Sequence, residues 1–130
     1  MTRLLLDTHA LVWWVEGREN LSAVARKMIE DADNVVLVSA ASAWELAIKM
    51  RLGKFKSREL AERLDEQVVE EGFEALSISI EHALRAGAFD SPHKNPFDRM
   101  LIAQAQIEDL SVIRISKDST FDSFGVRRIW

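Results

Sequence analysis

The sequence contains no cysteine, and only two prolines and five glycines in 130 residues. Without cysteine there are no disulfides, thiolate metal centres or cysteine nucleophiles. So few prolines and glycines leave little material for a disordered linker. Long apolar runs are missing too: the longest, "ALVWWV" at residues 10–15, falls far short of the ~20 residues needed to cross a bilayer. The first ten residues, "MTRLLLDTHA", meet Asp7 before a signal-peptide core can form and lack a small-residue cleavage site. They read as a first strand, and a cytoplasmic location with no membrane contact is expected. No glycine-rich loop of the phosphate-cradling kind occurs, which leaves ATP and dinucleotides unsupported.

What is present is the balance of a soluble globular protein: 48% hydrophobic and 29% charged residues, long enough for one domain over 1–130 and too short for two ordinary ones. The net charge of −4 excludes a wholly basic, nucleic-acid-coating protein. Charge is nevertheless uneven. Residues 49–58, "KMRLGKFKSR", hold five bases and no acid, and the next sixteen hold seven acids and one base. A solvated turn followed by an acidic helix face accounts for this, and a local phosphate-binding patch is the sharper alternative.

Short β-branched or leucine-rich segments at 3–7, 34–39 and 110–116, with shorter ones at 73–78 and 125–130, read as strands. Between them, "LSAVARKMIEDA" (21–32) spaces its apolar residues by three and four, and 39–52, 57–71, 80–89 and 96–110 do the same. Strands alternating with helices imply right-handed crossovers and an α/β fold of three layers, a mainly parallel sheet flanked by helices. In such sheets ligands bind beyond the carboxyl ends of the strands, so the residues that close each strand carry the argument.

Two carboxylates, Asp7 and Asp118, close predicted strands; Asp98 opens the helix before the latter strand, and Glu45 lies on the helix that follows the strand at 34–39. Asp7 closes the first strand, where an N-cap role competes with a functional one. Glu45 is the only charge in residues 35–48, "VVLVSAASAWELAI". A pair with Lys49 four residues on is its structural alternative, but an isolated, partly buried carboxylate needs a neutralising partner. Asp98 occupies the third position of a helix that Asn95 caps and Pro96 opens, a place that favours an acid on dipole grounds alone. Asp118 follows the strand at 110–116 in "SKDSTF", where a turn would explain it equally well. If all four face one crevice they require a counter-charge, and hard oxygen-binding cations, Mg²⁺ or Mn²⁺, are the natural suppliers. That chemistry suits phosphodiester hydrolysis without a protein nucleophile. Ser116 and Thr8 lie beside two of the acids, where each can hold a metal-bound water or phosphate oxygen or make ordinary turn hydrogen bonds, the turn reading being preferred for Thr8.

The blocks "LLLDTHALVWW", "VSAASAWELAIK", "HKNPFDRMLIAQA" and "ISKDSTFDSFGV" resemble, in order and across the whole sequence, those of PIN-domain ribonucleases of the VapC type, the toxin half of bacterial toxin-antitoxin modules. The resemblance implies a five-stranded parallel sheet and a homodimer. It also implies a Mg²⁺- or Mn²⁺-dependent endoribonuclease acting on RNA and silenced by a cognate VapB-type antitoxin. Asp7, Glu45, Asp98 and Asp118 fall on the family's metal-binding acidic quartet, and Ser116 on its polar Ser/Thr position. Two departures stand out: Asn95 replaces an acid found in many relatives, and Ser116 replaces the commoner Thr. The expected antitoxin inserts a positively charged side chain among the acids.

Other residues are assigned no chemistry. His9, His82 and His93 lack the spacing of zinc ligands. Arg99 stays outside the site, as a partner for an acid or a phosphate. Trp13, Trp14 and Trp44 are expected in the core, and Trp130 as a strand or dimer anchor. A catalytically inactive module of the same fold, binding RNA or protein, is the competing reading. A phosphate-accepting receiver domain is disfavoured because Asp7 is followed by "THA" rather than by a second acid.

Overall fold

Leu4, Leu5 and Leu6 are all fully buried because the strand they form, β1 (Arg3–Leu6), is covered on both faces. Burial of each leucine is worth about 1.5–3 kcal/mol, which outweighs the modest strand preference of leucine. The chain is described by a computed structural model that covers residues 1–54, 58–90, 95–114 and 120–130. After β1 come α1 (Thr8–Glu16), a 3₁₀ turn at Arg18–Asn20, α2 (Ala23–Glu30), β2 (Val35–Ser39) and α3 (Ala40–Arg51). Then follow α4 (Arg58–Glu62), α5 (Leu64–Glu70), β3 (Glu74–Leu76), α6 (Ile80–Ala88), α7 (Pro96–Glu108), β4 (Ser111–Ile113), a 3₁₀ segment at Thr120–Phe124 and β5 (Arg128–Ile129).

The five strands pair in the order β3-β2-β1-β4-β5, every pair parallel, as the resemblance implies. Alternation along the central strand divides the core. Leu4 and Leu6 face α1, α2 and α5 through Leu11, Trp14, Ile29 and Val68. Leu5 faces α7 through Leu101, Ile102 and Ala105, joined by Phe121. Strand order reverses at β1, which has β2 on one side and β4 on the other. The crevice that such a reversal opens therefore lies just past Leu6 and Ile113.

Local chemistry sets the element ends. Asn95 caps α7, its Oδ1 accepting from the backbone N–H groups of Phe97 at 3.0 Å and Asp98 at 3.3 Å, and Pro96 opens the helix. The helix stops at Glu108, two residues before the end expected from periodicity, because Asp109 turns into the left-handed region at φ 55°. The helix expected over 57–71 is two helices, α4 and α5, broken at Arg63. Leu60, Leu64 and Val68 stay buried at intervals of four, so the apolar stripe runs through the break. The edge strands β3 and β5 are shorter than their sequence patterns, as fits strands with a neighbour on one side only.

Candidate active site

Asp7 follows β1 directly and caps α1: its Oδ1 accepts from the N–H of Ala10 at 2.7 Å, and its own N–H donates to the carbonyl of Ile113 at 3.0 Å. The cap thus fixes the carboxylate at the β1/β4 reversal, only 5% exposed. Glu45 reaches the same place from α3, which starts where Ser39 caps it at the end of β2. The Thr8 hydroxyl donates to Glu45 Oε1 at 2.5 Å, and Lys49 Nζ holds Oε2 at 2.7 Å. Ser42 lies behind Thr8, with 3.1 Å between the two hydroxyl oxygens. Asp98 arrives from the first turn of α7 and meets Arg114, the residue after β4, with Nη1 3.0 Å from Oδ1 and Nη2 3.4 Å from Oδ2.

Asp7, Thr8, Glu45, Lys49, Asp98 and Arg114 line one cavity of about 220 Å³, together with His9 and Asn95. Three of the four predicted carboxylates, Asp7, Glu45 and Asp98, are therefore brought together. Asp118 and Ser116 lie outside the described residues. Among the described residues, no group of three or more carboxylates or imidazoles is arranged to hold a metal ion. Two cations, Lys49 and Arg114, already stand among the three acids. The counter-charge expected from a divalent ion is partly supplied by the protein itself. The three carboxylates offer hard oxygen donors, the kind Mg²⁺ and Mn²⁺ prefer. His9 sits at the rim with its imidazole held below the ordinary histidine range, first by burial and then by the Lys49 charge. It is therefore the neutral form that lines the cavity at pH 7.

The sequence reading missed several of these residues. Thr8 is a buried hydrogen-bond donor to Glu45 rather than a turn residue. Glu45 makes the i,i+4 pair with Lys49 and also lines the crevice, so its two alternatives are one arrangement. Arg114 had a legible signal, a lone base inside "LSVIRIS". Arg99, by contrast, donates to the carbonyls of Ala86 at 3.1 Å and Phe89 at 2.6 Å, tying α7 to α6. His82 serves the α6 cap: its Nδ1 accepts from the Ser79 N–H, and its Nε2 lies 3.0 Å from Glu108.

Trp14 is buried as expected, but Trp44 is not a core residue. It is 59% exposed on α3 and meets Phe97 edge-on at 5.2 Å. The helical turn that sends Glu45 inward sends its neighbour outward. Trp130 packs on Trp13 at 6.4 Å, as a strand anchor should. In the basic stretch, Lys49 belongs to the crevice and Arg51 and Lys54 are exposed, while 55–57 lie outside the described residues. No helix among the described residues is long and apolar enough to cross a membrane.

Comparison with known proteins identifies the fold. Ribonuclease VapC16 of Mycobacterium tuberculosis is 38% identical over 68 residues, a match that spans 52% of this chain and 48% of that protein. Solved structures of the same shape include DNA-bound VapBC from Salmonella typhimurium, with a TM-score of 0.69 at 17% identity over 99% of this chain and 98% of that one. Another is VapBC-1 from nontypeable Haemophilus influenzae, with a TM-score of 0.67 at 16% identity over 98% and 97%. FitAcB from Neisseria gonorrhoeae gives 0.64 at 19% identity over 98% and 96%. At these identities the structural likeness concerns the fold. The PIN domain family model matches residues 4–126, from the first strand to the last loop, and the chain belongs to the PIN domain family.

Proposed function

We propose that this chain is a metal-dependent endoribonuclease of the VapC type, the toxin of a toxin-antitoxin module. One observation carries the reading: Asp7, Glu45 and Asp98, from three different elements, open on one cavity at the reversal of strand order. The partial match to a ribonuclease and the likeness to VapBC structures support it. Asp7, Glu45, Asp98 and Asp118 would hold Mg²⁺ or Mn²⁺, and Ser116 would hold a water or phosphate oxygen beside them. When bound, the ion acidifies a water and neutralises the scissile phosphate. The protein's part is to orient. Thr8 and Lys49 fix the two oxygens of Glu45, and the α1 cap fixes Asp7. The α7 cap sets Asp98 in the first turn of the helix, where an acid complements the helix dipole.

The proposed partners are RNA as substrate, a VapB-type antitoxin that places a positive side chain among the acids, and a second copy of the chain, all in the cytoplasm. The dimer reading is supported by exposed apolar side chains on α6 and α3, Ile80, Leu84 and Trp44, of which Trp44 also lines a small apolar cavity with Ala83, Gly87 and Phe97. The function is tested by incubating antitoxin-free protein with total cellular RNA and Mn²⁺ or Mg²⁺, with and without chelator. Discrete fragments that vanish with chelator are expected. Intact RNA from folded protein under every metal condition would favour the non-catalytic binding module.

A further inference from the structure

Arg114 stands against Asp98, one of the acids proposed to hold a metal ion. Its backbone N–H donates to the carbonyl of Ile129 at 3.1 Å, which pins the main chain beside β5. Its guanidinium lies 4.2 Å from the ring centroid of Phe121 and faces both oxygens of Asp98 end-on through Nη1 and Nη2. The residue is only 9% exposed, and its buried Nε has no hydrogen-bond partner among the described residues. A guanidinium built solely as a structural clamp would normally satisfy that donor, because a buried N–H without an acceptor is costly. The observed pose gives up the Nε bond to set two N–H groups on one carboxylate inside the cavity.

We propose that Arg114 is the resident counter-cation of Asp98, displaced from it when a divalent ion binds. The inference rests on the metal-site reading above and adds a competitor from within the chain. Both oxygens of Asp98 are engaged by Arg114, so an ion entering there exchanges one cation for another. A divalent ion and a guanidinium a few Å apart in a partly buried cavity repel strongly. Metal affinity is therefore set by Arg114 as much as by the acids, and the coupling is reciprocal. Before metal arrives, Arg114 keeps the acids from repelling one another. The protein folds without an ion at the expense of metal affinity.

The test is Mn²⁺ binding, followed by electron paramagnetic resonance or calorimetry, with no RNA present. Arg114→Gln removes the charge and should bind Mn²⁺ about tenfold more tightly or better. Arg114→Lys keeps the charge and should bind no more tightly than the original. In the unaltered protein, titration with Mg²⁺ should shift the Arg114 Nε–H NMR resonance, a readout that holds even if a variant fails to fold. Equal or weaker Mn²⁺ binding by folded Arg114→Gln, or an unmoved Nε–H resonance at saturating Mg²⁺, would overturn the displacement and leave the nuclease reading intact. Absence of binding by both the original and Arg114→Gln would overturn the metal-site reading itself.

Discussion

The hydroxyl of Thr8 and the carboxylate of Glu45, 37 residues apart in sequence, share a buried hydrogen bond that joins the start of α1 to the middle of α3. Thr8→Val keeps the shape but leaves Oε1 without this donor. A loss of about 1–2 kcal/mol in a urea titration is expected, with Thr8→Ser restoring most of it. RNA cleavage should fall with Thr8→Val as well, because Glu45 loses one of the two groups that orient it.

Asp7 has two roles that substitution separates. Asn accepts the same cap bond from Ala10, so Asp7→Asn should change stability by only a few tenths of a kcal/mol, whereas Asp7→Ala should cost about 1 kcal/mol. Both should abolish cleavage. Thermal melts beside an RNA assay distinguish the roles; an active Asp7→Asn protein would reduce Asp7 to a cap.

The pair of Glu45 with Lys49 predicts a coupling. Lys49→Met strands a carboxylate that is largely buried, and Lys49 itself is partly exposed, so about 1–2 kcal/mol of destabilisation is expected after allowing for solvent screening. Adding Glu45→Gln should recover part of that loss. A double-mutant cycle measures the coupling, and strictly additive effects would mean that the pair contributes nothing.

The apolar face of α6 and α3 predicts a concentration-dependent dimer. Leu84→Glu places a charge on that face at a solvent-exposed position and should shift the mass seen by light scattering from two chains to one without lowering the melting temperature. A mass of one chain for the unaltered protein would contradict the dimer.

Much of this arrangement was legible because local rules and global topology agree. Asn95, Pro96 and Asp98 spell a helix start, and "RLLLD" spells a strand buried on both faces and closed by a cap. Asp7 and Asp98 could be assembled from topology, since one follows a strand and the other opens a helix, while Glu45 stood out as the lone charge in an apolar stretch. Arg114, Lys49 and Thr8 were harder to place as members of the site. Their roles depend on pairs with Asp98 and Glu45 whose geometry no periodicity encodes. Trp44 was misread for a related reason: an aromatic among apolar neighbours looks like core, and only the rotation of α3 set by Glu45 turns it to solvent.

The proposed function requires metal-dependent RNA hydrolysis in the acidic cavity. The most direct measurement is single-turnover cleavage of a mapped RNA fragment at saturating Mn²⁺ by the unaltered protein and by Asp98→Asn, each shown to be folded by circular dichroism. Cleavage by the former and a loss of at least ~10²-fold in the latter are expected. Equal rates would contradict the proposed function.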